Sequence, residues 1–295
     1  MLTLLYHNIV NAAVRAVPVA SAQVTAGTFR KHIARFRGQF LDPLDVHEQL
    51  INGKTPRGVL ITFDDGAAGI VEAGRILAEY GARGVAFVCP GALASGLWFY
   101  RLADALMRAM VSRIRWEDSD LEISSRAGKL KAYKVISSVI FDAPQQERDA
   151  VLVRIIDELC VSAEPVLPSL VTLNDASIRE AKRTEGLVFA NHSWSHPNLT
   201  TLPQDELTRE IEQSHSWLAS SGLPTVPWFA FPRGAHDQRV RTEVARWCPI
   251  AFGADALETE VGVWPRTYLC ELDSNPVRLA AKTVWEGRLR RTLSK

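Results

Sequence analysis

The chain has 295 residues, of which 47% are hydrophobic and 23% charged, and its net charge is +1. This composition is that of an ordinary globular protein, and the length suits one large α/β domain or two small ones. A nearly neutral chain gives no reason to expect nucleic acid or an acidic membrane surface as a partner. No apolar run approaches the roughly eighteen residues of a membrane span, and the sequence leaves the oligomeric state open.

The cysteines and the first residues bear on the compartment. Four cysteines are scattered without a Cys-x-x-Cys pair, which predicts buried thiols in a reducing environment: Cys89, Cys160, Cys248 and Cys270. The first seven residues lack a basic leader and a long apolar core. We therefore expect a cytoplasmic protein.

The amino-terminal part predicts alternating strands and helices. Leu2 to Tyr6 has the pattern of a strand and ends at His7, and residues 11–27 are weakly patterned like a loop over the mouth of a barrel. Phe29, Ile33 and Phe36 form a helical stripe. Residues 41–44 resemble a short edge strand, and residues 46–51 a helical turn.

A strand ending in two carboxylates is the feature around which the chain is organised. Val59 to Phe63 is apolar and β-branched, and Asp64, Asp65 and Gly66 follow it. In parallel α/β folds, binding and catalytic groups collect at this end of the strands. Neighbouring strand residues point to opposite sides, so the two carboxylates have different roles unless the backbone bends there. Alternatively, this is an ordinary turn in which Asp65 caps a helix over residues 70–80.

A long segment then interrupts the α/β pattern. After the predicted strand 85–88, residues 97–170 contain a helix at 98–110, a hairpin at 115–123 and helices at 130–141 and 146–159, closed by two prolines. We interpret this segment as an α-rich insertion within a single domain spanning residues 1–295. It could also form a subunit contact. Trp98 could present an aromatic face to a sugar, or pack into the core.

Two histidines follow the next strand. Residues 187–190 are apolar, and His192 and His196 lie four apart just after them. On one helical turn both imidazoles could reach one metal ion, although Pro197 favours a single turn or loop. Taken alone, one histidine could cap a helix and the other lie on the surface.

The two stretches together are more specific than either alone. One carboxylate and two neutral imidazoles are a common ligand set for zinc and other divalent first-row metals. Such a set leaves coordination positions open for water and substrate. The remaining carboxylate is then free for proton transfer.

These motifs resemble those of the NodB-homology polysaccharide deacetylases, carbohydrate esterase family 4. Residues 62–66 are similar to the first motif, and residues 192–197 to the second. The resemblance implies a distorted (β/α) barrel of seven or eight strands and hydrolysis of an acetyl group from an N-acetylated sugar of a polysaccharide, oligosaccharide or glycan precursor. It implies Asp64 as the base and Asp65, His192 and His196 as ligands of a divalent metal, zinc first, with cobalt, nickel and manganese as alternatives.

The third motif departs from the family pattern. Residues 227–234 resemble it in the Phe-x-Phe-Pro-x-Gly form, with Phe231 and Pro232 bordering the substrate, and the backbone N–H of Arg233 could stabilise an oxyanion. Ala230 occupies the place of the arginine that usually orients the base. Arg266 is our first candidate to replace it and Arg233 the second. A surface salt bridge is the alternative role for Arg266.

The histidine of the fifth motif, Leu-x-x-His, is absent. No histidine lies beyond His236, so His236 and His7 are the candidate replacements, each with a structural alternative. His7 could also face the substrate, and protonated Asp64 could return its proton to the leaving amine. Two other functions stay open: a catalytically impaired sugar-binding protein, or a hydrolase of another C–N bond such as a formamide or cyclic amide.

The last part of the chain predicts two more helices and two strands. Asn174 and Asp175 are typical of a cap for a helix over 176–182, and a second helix begins near residue 202. Residues 250–253 and 267–269 have the pattern of the last two strands.

Overall fold

The computed structural model describes residues 1–12, 18–19, 22–93, 95–254 and 260–293. The predicted loop over residues 11–27 lies partly outside these ranges, and its described end forms a short strand and the first residues of a helix.

The strands of the described residues are β1 (Leu2–Tyr6), β2 (Asn8–Val10), β3 (Gln23–Thr25), β4 (Val59–Phe63), β5 (Gly84–Val88), β6 (Arg113–Trp116), β7 (Ser119–Glu122), β8 (Leu187–Asn191), β9 (Thr225–Ala230), β10 (Ile250–Phe252), β11 (Val263–Trp264) and β12 (Thr267–Tyr268). The helices are α1 (Ala26–Arg35), α2 (Pro43–Ile51), α3 (Ile70–Glu79), α4 (Trp98–Arg108), α5 (Arg126–Ile140), α6 (Gln145–Glu158), α7 (Asp175–Arg183), α8 (Gln204–Ser220), α9 (Gln238–Ala245) and α10 (Pro276–Leu293).

Eight of these strands form one parallel sheet in the order β11-β10-β9-β8-β5-β4-β1-β12. Its two edge strands are nearly consecutive in the chain, since only Pro265 and Arg266 separate β11 from β12. The sheet must therefore curl until its edges approach each other. This confirms the predicted distorted (β/α) barrel and leaves a narrow seam at Arg266.

Side chains alternate between the inside of the curled sheet and its helix-covered outside. Leu60, Phe87 and Trp228 belong to the inner apolar cluster. Ile61 and Phe63, from the same strand as Leu60, pack outside in the cluster that includes residues of α1 and α3. This period of two places the residue after β4, Asp64, on the inner side.

The strands differ from the prediction at two places. The expected edge strand at 41–44 is instead the start of α2, because Asp42 caps this helix by accepting a hydrogen bond from Leu44 and Pro43 occupies its first turn. Phe40 makes only an isolated bridge to Val59. A further strand, β11, lies between the two strands predicted last, and its two residues are too few to show a period.

The segment 97–170 leaves the barrel after β5 and returns before β8. It contains α4, the β6–β7 hairpin, α5 and α6, and its apolar side chains form a cluster of their own, with Leu102, Ile136 and Ile155 at 0% exposure. The same cluster includes Ala67 and Cys89 from the barrel. The segment thus has an internal core that is joined to the barrel beside the strand ends.

The cysteines are only partly as expected. All four are free, but only Cys89 and Cys248 are buried, whereas Cys160 is exposed and Cys270 half-buried. Among the described helices, none combines the length and apolar character needed to cross a bilayer.

A substitution at Gly186 can test how closely α3 packs against the start of β8. A Cβ at Gly186 would lie 1.9 Å from the carbonyl oxygen of Gly74, so Gly186→Ala must push these backbones apart. We expect it to lower the free energy of unfolding by about 1–3 kcal/mol in denaturant titrations. Gly27→Ala, in α1 with open space around the added Cβ, is the control and should leave stability equal or up to about 1 kcal/mol higher. Equal losses in both variants would contradict the packing argument.

Candidate active site

The carboxylates of Asp64 and Asp65 point in different directions because the backbone turns sharply after β4. Asp65 has a φ of 75°, in the left-handed region, so it does not continue the alternation of the strand. Asp64 and Asp65 are both nearly buried, 3% and 4% exposed. The bend lets both side chains reach one centre while they meet different partners.

Asp64 is held by Arg266 in a bidentate ion pair. The guanidinium donates to the two carboxylate oxygens at 2.6 and 2.7 Å, and its Nε donates to the carbonyl of Gly253 at 2.6 Å. Arg266 is 0% exposed, so it is not a residue of a surface salt bridge. This placement follows from the fold, because Arg266 lies at the seam and points into the barrel.

The pairing keeps Asp64 ionised. Burial by itself raises the pKa of a carboxyl group. Here the charge of Arg266, the charge of His192 and the hydrogen bonds from Arg266 outweigh burial, and the pKa of Asp64 is lowered. The residue therefore carries the charge that a general base needs near neutral pH.

His192 is fixed by the strand next to its own. Its Nδ1 lies 2.7 Å from the carbonyl oxygen of Ala230, at the end of β9. A carbonyl only accepts hydrogen bonds, so Nδ1 carries the hydrogen and Nε2 keeps its lone pair. That nitrogen lies 3.5 Å from Asp65 Oδ1 and 3.9 Å from Asp64 Oδ2.

His196 completes a three-residue cluster with Asp65 and His192. Its Nε2 lies 3.4 Å from Asp65 Oδ1, and one ligand atom from each residue lies within 4.8 Å of the others. The two nitrogen–oxygen distances of 3.4 and 3.5 Å exceed the normal range of N–H···O hydrogen bonds. They match the roughly 3.3 Å expected between two atoms each about 2.0–2.1 Å from a tetrahedral zinc ion.

The electrostatics of the cluster also suit a cation. Burial lowers the pKa of His196 to about 3, so its imidazole is neutral, the form that binds metals. Burial also lowers the pKa of His192, but the charge of Asp64 and contacts with Asp65 raise it overall. Burial raises the pKa of Asp65, but its contact with His192 and the proximity of the other histidines lower it overall. The donor set of one carboxylate and two imidazoles therefore fits a divalent ion.

The loop that carries the histidines is anchored by Glu210, which the sequence analysis missed. Its carboxylate accepts hydrogen bonds from the backbone N–H groups of Trp194 and Ser195, both at 2.9 Å, and from the Ser195 hydroxyl at 2.7 Å. The side-chain oxygen of Asn191 also accepts a hydrogen bond from the backbone N–H of Ser193 at 2.8 Å. A sequence signal existed, since Glu210 lies on the apolar face of α8 with Leu207, where a charged residue needs a partner.

Strained backbone is concentrated here. Seven residues other than glycine have positive φ in the described chain, and four of them belong to this site: Asp65, Ser193, His196 and Arg233. Each such conformation costs on the order of 1–3 kcal/mol and persists where its surroundings impose it. The surrounding hydrogen bonds therefore hold the side chains in place against this strain.

Three predicted substrate-binding residues lie beneath the site surface. Phe231 is 0% exposed and packs on Phe229, and Pro232 is buried beside it. Trp98 is 4% exposed, and its indole N–H donates to the carbonyl of His196 at 3.3 Å. The core-packing alternative therefore describes Trp98 better, and Phe231 and Pro232 are likewise too buried to border a substrate directly.

The two candidate replacement histidines lie in different surroundings. The charge of His7 acts on both Asp64 and Asp65, and its ring stands edge-on to Tyr268 at 5.4 Å. His236 instead stacks on Phe231 at 4.6 Å, and its Nδ1 lies 3.2 Å from Arg241 Nη1. Of these two histidines, His7 is the one within electrostatic reach of both carboxylates.

Arg233 does not reach Asp64, whose two oxygens are taken by Arg266. It lies in the turn Pro232–Gly234 after β9, and its exposed guanidinium is stacked on the ring of Phe141 at 4.2 Å. Its charge contributes to the lowered pKa of His196. Arg233 thus lies within electrostatic reach of the cluster of Asp65, His192 and His196.

Comparisons with known proteins agree with this geometry. The polysaccharide deacetylase family model matches residues 134–248, which include both histidines and the turn at Arg233 but not the carboxylate pair. A search of the curated proteins found no match.

Solved structures share the fold at low sequence identity. The Streptococcus pyogenes deacetylase PplD in complex with acetate is 18% identical, with a TM-score of 0.61 over 96% of this chain and 97% of that one. A polysaccharide deacetylase from Bacillus cereus is 13% identical, with a TM-score of 0.60 over 96% and 68%. IcaB from Ammonifex degensii is 15% identical, with a TM-score of 0.55 over 95% and 96%.

The curled parallel sheet agrees with the family match. The resemblance to the NodB-like polysaccharide deacetylases is confirmed in sequence for residues 134–248 and in fold by the solved structures. The Asp64-Asp65 pair, which resembles the first motif of these deacetylases, lies outside the residues that the family model matches.

Arg266→Met should separate catalysis from metal binding. Without the guanidinium, burial raises the pKa of Asp64, so the base loses its charge at a higher pH and the acid limb of the kcat/KM profile moves upward. We expect turnover to fall on the order of 10²-fold while metal content, measured by elemental analysis, stays intact. Unchanged turnover would remove Arg266 from the site.

Glu210→Gln should weaken metal binding from outside the ligand set. The amide keeps the size of the carboxylate but replaces one acceptor oxygen by a donor, so the histidine loop loses a hydrogen bond. We expect metal affinity to fall about 10- to 100-fold, measured by competition with a chelating dye. Glu212→Gln, an exposed change in the same helix, is the matched control. Equal affinities in the two variants would contradict the anchoring role.

Proposed function

We propose that this protein removes the acetyl group from an N-acetylated sugar of a polysaccharide, oligosaccharide or glycan precursor in a metal-dependent hydrolysis. The observation that carries the proposal is that the two adjacent carboxylates, Asp64 and Asp65, have different partners. Asp65 converges with His192 and His196 as a ligand set, while Asp64 is turned to Arg266 and stays available for proton transfer.

Zinc is our first choice of ion, with cobalt, nickel and manganese as alternatives. Asp65, His192 and His196 would hold it. A divalent ion bound there polarises an acyl carbonyl and lowers the pKa of water from about 15.7 towards 7. The chain supplies the remaining groups.

Asp64 would accept the proton of the attacking water, because it is ionised and lies 3.9 Å from His192 Nε2 at the ligand cluster. The backbone N–H of Arg233 would donate to the developing oxyanion; such a donor contributes roughly 3–4 kcal/mol in enzymes where it has been removed. Protonated Asp64 would then return the proton to the leaving amine. His7, beside both carboxylates, is the second candidate for this step.

Acetate would be the second product of this reaction. The deacetylase PplD was solved in complex with acetate, and we propose that this chain releases acetate. The intact Asp64–Arg266 pair favours catalysis over a sugar-binding role, since binding alone would not need a buried, charged base.

Two substitutions at the site distinguish base from ligand. Asp64→Asn should reduce the release of acetate by at least about 10²- to 10⁴-fold with metal still bound, since the amide cannot accept the proton. His192→Ala should lose both metal and activity. Acetate release from N-acetylated oligosaccharides and metal content are measured on the same samples, before and after chelation and zinc restoration.

Full activity in Asp64→Asn would overturn the assignment of the base. Full activity after complete chelation would overturn metal dependence. Activity on formamides or cyclic amides with none on acetylated sugars would favour the other C–N hydrolase class.

A further inference from the structure

Arg233 has a guanidinium that the proposed chemistry does not use. The proposed chemistry uses only the backbone N–H of this residue, and Arg266 already occupies both oxygens of Asp64. Among the residues that the structure describes, no carboxylate lies within ion-pair distance of Arg233, and its one ring contact is with Phe141. An unpaired arginine at the rim of a buried catalytic centre needs an explanation.

Stability does not explain an arginine at this position. Arg233 has a φ of 54° and a ψ of 12°, a left-handed conformation that disfavours side chains and costs on the order of 1–3 kcal/mol. An exposed cation–π contact stabilises the folded state by only about 0.5–1 kcal/mol. Glycine would fit this turn with less strain, so the side chain is better explained by a ligand.

The surroundings show where that ligand would lie. Phe141 follows α5 and Tyr133 lies within it, so the insertion forms this wall of the site. Burial raises the pKa of Tyr133, while the charge of Arg233 opposes the rise and that of Asp65 adds to it. The hydroxyl of Tyr133 thus lies within electrostatic reach of both the rim guanidinium and the metal-binding carboxylate.

The stacking also orients the guanidinium. A guanidinium stacked on an aromatic ring keeps its in-plane N–H donors free, and their fork matches the two oxygens of a carboxylate or phosphate. Such charge-assisted contacts are about twice as strong as contacts with neutral hydroxyl groups. The whole chain carries only +1, so selection for an anion must be local.

We propose that Arg233, backed by Phe141, binds an oxyanion on the substrate, so that the enzyme selects N-acetylated sugars bearing a carboxylate or phosphate next to the reacting residue. This inference rests on the proposed function and names its substrate class. The insertion would then define specificity, while the barrel supplies the chemistry.

Matched sugars test the proposal. N-acetylglucosamine, its 6-phosphate and N-acetylmuramate differ in the anionic group and share the acetamido group. For wild-type zinc-loaded enzyme, we expect kcat/KM to be higher for at least one anionic sugar than for the neutral one. In Arg233→Gln this ratio should fall about tenfold to a hundredfold, and Arg233→Lys, which keeps the charge without the fork, should restore part of it.

Arg57→Gln is the matched control. Arg57 is exposed and precedes β4, at the end of the strand opposite the site, so the ratio should stay at the wild-type value. The loss in Arg233→Gln should also shrink with added salt, because screening weakens the charge contribution in the wild type. Loss of the phosphate preference alone, or of the carboxylate preference alone, identifies the anion.

Binding gives a readout that does not depend on turnover. Calorimetry with zinc-loaded Asp64→Asn protein measures affinity for the same three sugars, with and without Arg233→Gln. Tighter binding of an anionic sugar that is lost with Arg233→Gln supports the inference even if no sugar is deacetylated, in which case the proposed function alone fails. Equal affinities for neutral and anionic sugars, or a preference that survives Arg233→Gln, would overturn it.

Discussion

The buried ion pair between Arg266 and Asp64 is the interaction on which the site depends. Burying two charges is favourable only when each finds its partner and further hydrogen bonds, and removing one partner leaves an uncompensated charge. Arg266 meets this condition at the barrel seam, where it bonds both Asp64 after β4 and Gly253 after β10. The same arginine therefore bridges strands at the seam of the sheet and orients the carboxylate of Asp64.

A second constraint, the backbone conformation after β4, gives the adjacent carboxylates of Asp64 and Asp65 different partners. The period of two in β4 directs Asp64 to the inside, and the left-handed turn at Asp65 redirects its neighbour towards the histidines. A strand and a helix then contribute the remaining supports, since Ala230 at the end of β9 fixes His192 and Glu210 in α8 fixes the loop. The site is rigid because each group is held by an element other than its own.

The insertion, residues 97–170, has a hydrophobic core of its own, and it also contacts the residues of this site. Phe99 packs on the ring of His196 at 4.9 Å, and Trp98 bonds the backbone of the same residue. Phe141 supports the guanidinium of Arg233 at the rim. The barrel thus places the two carboxylates and the two histidines, and the insertion forms one wall beside them.

Local patterns in the sequence determined the parallel strands, their terminal carboxylates and histidines, and most helices, because an apolar run that ends in polar residues is visible without knowing what packs against it. Only the tertiary structure decided that Arg266 and not Arg233 meets Asp64, that Trp98 lies inside, and that Glu210 anchors the loop. The same holds for β11, whose two residues carry no period. These outcomes depend on contacts between segments far apart in the chain, and such contacts exist only once the sheet has curled and its edges have met.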